Sequence, residues 1–232
     1  ADQFEQVQAE LYRRQNMDRY SGVGCFSSII KCGECGSWYG AKVWHSNDKY
    51  RRVIYRCNKK YGKGCKCKTP HITEDEIKEM FIKAANELFY EKDEIIENTK
   101  TMMDMVCNTD DLDKELGDKV TELNIIAEQM QTAIAENSRT ALDQNEYERR
   151  YVDLTERYNT IKADYDKISE QIESKKAQRE LFKGFIGALE KQGALLEEFD
   201  EGLWSSLVQE VVVNTKDDIR FIFKNGFEIK TR

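Results

Sequence analysis

Five of the seven cysteines lie between Cys32 and Cys67, and no other feature limits the possible folds of this chain so strongly. Cys32-Gly-Glu-Cys35-Gly is a metal knuckle. Two thiolates separated by two residues grip one ion, and Gly36 permits the tight turn that aims backbone N–H groups at sulfur. Cys57 follows after 21 intervening residues. For the fourth ligand, Cys65, Cys67 and His71 all lie within reach. A disulfide framework is normally spread across a small secreted domain. Clustered thiols behind a polar, helix-patterned opening ("ADQFEQVQAELYRR") that is no secretory signal point to a reducing compartment and a metal. Four thiolates leave no open position for water, so the expected cofactor is one structural Zn2+. Cys25 and Cys107 read as buried apolar residues. A redox dithiol at Cys32 and Cys35 needs a thioredoxin-like βαβ context, which this sequence lacks.

The chain carries a formal net charge of −7, yet its cations gather around these thiols. Residues 25 to 71 hold eleven Lys/Arg against two acids, Glu34 and Asp48, so this segment is +9 and the remainder −16. The cations are interleaved with Trp38, Tyr39, Trp44, Tyr50, Tyr55 and Tyr61 on a small rigid module, a pattern that suits a phosphate-facing surface. Lys49, Arg51, Arg52, Lys59, Lys60 and Lys63 are placed to neutralise phosphates. Within "HSNDKYRR", His45 reads as a surface or DNA-facing residue. Asn47 and the arginines have the chemistry to reach base edges, as Asn pairs with adenine and Arg with guanine.

Charged residues make up 34% of the 232, which favours long solvated helices over one large core. Phe4, Val7 and Leu11 pattern a helix over residues 2–20, closed by "SGVG". The alternation in "SWYGAKVWH" and "YRRVIYRC" predicts short strands. Thr73 and Glu76 form a capping box after Pro70, so a helix starts near residue 74. Two stretches then follow four-three spacing. One is Leu116, Val120, Leu123, Ala127, Met130 and Ile134. The other is Tyr147, Tyr151, Leu154, Tyr158, Ile161, Tyr165, Ile168 and Ile172. The polar break "ENSRTALDQNEY" between them predicts an antiparallel hairpin, out along 110–136 and back along 144–178, rather than one long helix dimerising in parallel. An arm of about 27 residues extends roughly 40 Å. A further helix is expected around 181–198. Asn225–Gly226, between alternating Ile219, Phe221, Phe223 and Phe227, Ile229, predicts a type I′ hairpin that returns to the cysteine module. No apolar run is long enough for a transmembrane helix, and the lack of an initiating Met suggests a fragment or a processed chain.

The residues "FSSIIKCGECGSWYGAK", "YRCN" and "CKTPHIT", then a long coiled coil, then "LWSSLVQEVVVN" and "IRFIFKNGFEI" resemble the C-terminal region of a large serine recombinase of phages and mobile elements. The resemblance covers nearly the whole chain. It implies an α+β fold in which a zinc β-ribbon domain with flanking helices and a C-terminal β-hairpin is interrupted by an antiparallel coiled-coil insertion. The parts expected are a linker helix from a preceding domain over 1–21, the first part of the zinc domain over 22–109, the coil over 110–178 and the completion of the zinc domain over 179–232. The resemblance implies Cys32, Cys35, Cys57 and Cys67 as zinc ligands, with Cys65 an extra thiol that leaves the last choice open. It implies that the ribbon binds double-stranded DNA at an attachment half-site. It also implies that the coil tip (136–143, with Glu136, Asn137, Ser138, Arg139, Thr140 and Leu142) touches other recombinase subunits under the control of a directionality factor. The serine catalytic domain has no counterpart here, so the chain is expected to bind DNA and not cut it, in the cytoplasm of a bacterial host and with no membrane partner. The competing expectation is a zinc-stabilised coiled-coil scaffold that binds only proteins.

Overall fold

The computed structural model describes residues 24–45, 47–62, 67–139 and 143–231, and the expected helix over 2–20 lies outside them. The described residues up to Met103 and from Arg179 onward pack as one unit, and Asp104–Gln178 pack as another. The fold is α+β, with a cysteine-bearing strand module and a long helical region.

In the first unit, β1 (Ile30–Cys32), β2 (Tyr39–Trp44), β3 (Arg52–Cys57) and β4 (Ile72–Thr73) come from the cysteine module. β5 (Val208–Thr215), β6 (Asp218–Phe223) and β7 (Glu228–Thr231) come from the C-terminal segment. They build a four-stranded sheet, β1-β5-β6-β7, and a three-stranded sheet, β2-β3-β4. β1 runs parallel to β5 with Cys32 opposite Val213, so the C-terminal strands do return to the cysteines. Among the described residues a bridge between Lys31 and Trp38 links the two sheets. The close approach of β5 explains Gly33. Its N–H donates to the Val213 carbonyl at 2.9 Å, and a Cβ there would stand 1.8 Å from Asn214 Oδ1.

Period-two alternation turns Val211, Val213, Ile219, Phe221, Phe223 and Ile229 into the core. The helix α1 (Glu74–Tyr90) begins with the capping box read from the sequence. Thr73 Oγ1 accepts from the Glu76 N–H, and the Glu76 carboxylate accepts from the Thr73 N–H at 2.7 Å. Its apolar stripe, Ile77, Phe81, Ala84, Ala85 and Leu88, is buried. Phe81 meets Trp204 edge-on at 5.2 Å, and Phe26 meets the same indole edge-on at 4.8 Å. Trp204, on the short helix α5 (Glu201–Leu207), donates its indole N–H to the Cys25 carbonyl at 3.0 Å, so this wholly buried ring has no orphaned polar atom.

The helix from residue 74 breaks at Glu91, and α2 (Lys92–Val106) follows. Two expectations are corrected. The helix expected at 181–198 is instead the end of α4 (Gln144–Lys191), which continues past residue 178 without interruption. "SKKAQRELFKG" consists mostly of strong helix formers with no cap or breaker before Gly184, so nothing ends the helix there. Beyond Lys191 the side chain of Asn86 replaces the helical ladder, accepting from the Leu196 N–H at 2.7 Å and donating to its carbonyl at 3.0 Å. The Asn225–Gly226 turn is not type I′, for only Gly226 has positive φ (+83°). Gly226 N–H donates to Phe223 O and Phe223 N–H to Phe227 O, both at 2.8 Å, which makes a type I turn closed by a left-handed glycine. The Asn225 amide reaches Thr99 Oγ1 at 3.1 Å, a tertiary contact that turn propensity does not foresee.

In the second unit α3 (Asp110–Arg139) pairs with the N-terminal part of α4 in antiparallel fashion. Arg150 contacts Glu136 at 3.3 Å near one end, and Lys175 donates to the Val106 carbonyl at the other. Leu154, Ile168 and Ile172 of the return arm are buried as its spacing predicts. On the outgoing arm the seam is shifted. Ile126 and Ala133 are buried, whereas Val120 and Ile134 are 41% and 48% exposed. Two four-three patterns share Leu116, Leu123 and Met130, and the partner helix selects the one that continues through 119, 126 and 133.

Candidate metal centre and nucleic-acid interface

Each thiol is delivered by a different local device. Cys32 ends β1 and is held to β5 by register. Gly36, at φ +66°, donates its N–H to the Cys32 carbonyl at 2.8 Å, which closes the first knuckle and swings Cys35 back toward Cys32. Cys57 ends β3 opposite Tyr39, and a second knuckle is closed by Lys60 N–H on the Cys57 carbonyl at 3.2 Å. Cys67 lies on an irregular segment fixed by three bonds. Glu34 accepts from the Lys68 N–H, Lys60 Nζ donates to the Thr69 carbonyl, and the Tyr39 hydroxyl donates to the Pro70 carbonyl at 2.8 Å.

The four Sγ atoms lie within 4.8 Å of one another, with Cys32–Cys67 at 3.1 Å and Cys35–Cys57 at 3.4 Å. A tetrahedral zinc with Zn–S bonds of about 2.3 Å requires S–S edges of about 3.8 Å, so the donor set and its spacing fit that ion. The electrostatics agree. Burial pushes the Cys57 and Cys67 thiols up, and hydrogen bonding to Cys35 raises Cys57 further as hydrogen bonding to Cys32 raises Cys67. Burial opposes ionisation of Cys32 too, but hydrogen bonds from Thr69 and Cys67 bring it down to about 6. Four such sulfurs ionise together only around a cation. Glu34 is held below the usual carboxylate range, chiefly by the Lys68 N–H.

His71, one of the three candidates for the fourth ligand, packs its ring on Trp44 at 4.8 Å and is not among the clustered donors. Cys65 lies outside the described residues. Cys25 is half-buried and Cys107 buried, both apart from the cluster.

The cations fall into three groups. In the β2–β3 ladder Gly40 faces Arg56, Lys42 faces Ile54, and Trp44 faces Arg52, so Lys42, Arg52 and Arg56 occupy one face of the sheet. Aromatic rings brace two of them, Arg52 over Trp44 at 5.4 Å and Arg56 over Tyr61 at 4.7 Å. The connecting turn presents Asn47, Lys49 and Arg51, all exposed. His45 is held within that turn at φ +53°, its Nδ1 3.0 Å from Asp48 Oδ2, and Asp48 also accepts the Tyr50 N–H at 2.7 Å. The second knuckle carries Lys59 and Lys60. Lys63 lies outside the described residues. Among the described residues, Lys42, Lys49, Arg51, Arg52, Arg56 and Lys59 have no carboxylate within 4.0 Å, whereas Lys31 is paired with Glu210. Sequence reading missed Lys42 and Arg56. Two-residue alternation relates Arg52 to Arg56 within β3, and the β2–β3 register adds Lys42 to the same face.

At the coil tip Glu136 pairs with Arg150, and Asn137 Oδ1 accepts from Gln144 Nε2 at 3.1 Å. Ser138 Oγ donates to the Ala135 carbonyl at 2.8 Å, and Arg139 ends α3. Thr140 and Leu142 lie outside the described residues.

No curated protein matches the chain. A solved structure described as a crystal structure of an LSR–DNA complex is similar at 20% identity and TM-score 0.37. That match covers 96% of this chain and 63% of the other, so this chain spans less than two thirds of it. The family model of the recombinase zinc beta ribbon domain matches residues 25–86, from the first cysteine of the module into α1. Over residues 25–86 the chain is similar to the recombinase zinc beta ribbon family, and the resemblance to the C-terminal region of a large serine recombinase is borne out there.

Proposed function

We propose that this chain is the DNA-binding and synapsis-regulating C-terminal region of a site-specific serine recombinase. One structural zinc held by Cys32, Cys35, Cys57 and Cys67 fixes the knuckles and the ribbon, and the ribbon binds duplex DNA at an attachment half-site. The observation that carries this reading is the row of unpaired cations, Lys42, Arg52 and Arg56, on the metal-held sheet of a recombinase-type ribbon. In a chain of net charge −7, cations left without carboxylate partners are free to pair with phosphate. Turn residues Asn47, Lys49 and Arg51 and knuckle residues Lys59 and Lys60 extend the surface. The zinc, when bound, supplies no open coordination position. It holds the frame, and strand scission belongs to a separate catalytic domain of the parent recombinase.

Selection from a random duplex pool tests this. A defined half-site is expected to be enriched by the zinc-loaded protein and lost on chelation. If no duplex is retained at physiological salt, the DNA reading fails and a protein-only scaffold replaces it.

The coil takes the second role, contact between subunits in the host cytoplasm, open to redirection by a directionality factor. Exposed Ile134 and Val152 on the two arms near the tip support that role. Subunits already held on DNA meet at high effective concentration, so weak tip contacts suffice. Deleting 136–143 is expected to leave the affinity for a single half-site within about twofold while abolishing pairing of two bound sites. Lost half-site affinity in that deletion would sink the division of labour.

A further inference from the structure

We propose that Thr69 serves the metal centre as a positioning residue, its hydroxyl donating a hydrogen bond to the sulfur of Cys32 or Cys67. The proposal rests on the metal reading above. Thr69 is 1% exposed, and its Oγ1 lies 3.0 Å from Cys67 Sγ and 3.3 Å from Cys32 Sγ. Both distances fall within hydrogen-bond range for sulfur, and the two sulfurs come from opposite ends of the ribbon, one on β1 and one on the segment after β3.

A hydroxyl has one proton and two lone pairs. While the thiols are protonated, Thr69 has the option of accepting from them. Once the sulfurs hold a metal they carry no protons, and the hydroxyl becomes the donor of the group. A buried hydroxyl proton is costly to leave unpaired, so it goes to sulfur. The backbone at Thr69 is pinned, because its own carbonyl accepts from Lys60 Nζ and the following carbonyl from the Tyr39 hydroxyl. The residue therefore draws electron density from a thiolate pair and ties the Cys67 segment to the first knuckle. Hydrogen bonds of this outer kind set both affinity and sulfur reactivity.

Cobalt(II) substitution tests the proposal. In the full chain the thiolate-to-cobalt charge-transfer band reports sulfur electron density, and a hydrogen bond to sulfur moves it to higher energy. Thr69→Val, which keeps the shape and removes the proton, is expected to move the band to lower energy. It is also expected to weaken zinc by about 10–100-fold in a chelator competition and to speed alkylation of the thiols. Thr69→Ser is expected to restore all three. If the unaltered protein shows no tetrathiolate cobalt spectrum, the metal reading falls and this inference with it. If that spectrum is present and Thr69→Val leaves the band and the affinity unchanged, the inference alone is overturned. Should the Val variant not fold, the unaltered protein loaded with cadmium-113 decides the matter. A Thr69 hydroxyl proton coupled to cadmium through sulfur supports the proposal, and an uncoupled one overturns it.

Discussion

Chelation at neutral pH is expected to melt the three-stranded sheet and to leave the four-stranded sheet folded. The two sheets differ in what holds them. β5, β6 and β7 place Val211, Val213, Phe221 and Phe223 in a core with Trp204, Phe81 and Phe185, all wholly or nearly buried. β2 and β3 contribute few buried apolar side chains (Tyr39, Ile54 and Tyr55), and the thiols of the metal site close both ends of the module. Structural zinc contributes about 10–16 kcal/mol in small finger modules, more than a six-residue hairpin gains from its own burial. Amide exchange is the measurement. Tyr39–Trp44 and Arg52–Cys57 should lose protection on chelation, and Ile219–Phe223 should keep theirs. Far-UV circular dichroism should change little, since the long helices are elsewhere. Cys32→Ser should act like chelation. Retained protection in β2 and β3 after metal removal would show that the ribbon stands without its metal.

The same loss is expected on acidification, and its sign follows from the thiols. Cys57 and Cys67 are raised above their ordinary value, so both still hold protons at neutral pH and must release them to bind the metal. Cys32, brought down to about 6, adds another proton to be displaced only below that pH. Metal affinity therefore rises with pH, and its slope steepens as pH falls through about 6. A pH-independent affinity between 5 and 8 would contradict the donor assignment.

What was legible in the sequence is what local chemistry decides. The C-x-x-C knuckle, the Thr73–Glu76 capping box and the alternation in "IRFIF" each follow from residue type at short range, and each appears in the structure. What was not legible depended on a partner. The outgoing coil arm supports two seams sharing Leu116, Leu123 and Met130, and only the return arm decides that Ile126 and Ala133 are covered while Ile134 is not. Asn225 reads as a turn residue until Thr99 gives its amide a bond. The cation row was hidden for the same reason. Lys42 belongs with Arg52 and Arg56 only once the β2–β3 register is known, and counting charges along the chain favours the denser turn instead.

That row carries the second large effect, a loss of DNA affinity of about 100-fold at 0.15 M salt when Lys42, Arg52 and Arg56 are all changed to Gln. Each phosphate neutralised contributes about −0.9 to the slope of log K against log salt, so removing three should flatten the slope by about 2.7. Arg51→Gln alone should flatten it by about 0.9, if the turn residue contacts phosphate as proposed. Lys31→Gln is the control, because Glu210 already neutralises that cation and its loss should leave the slope unchanged. The rings sharpen the argument. Trp44 and Tyr61 hold the guanidinium groups of Arg52 and Arg56 over their faces, which limits the conformational entropy each arginine loses on binding. Trp44→Ala should then weaken binding while leaving the salt slope unaltered, since no charge is removed. A triple variant whose salt slope matches the unaltered protein would move the DNA surface off this face and onto the turn and the second knuckle.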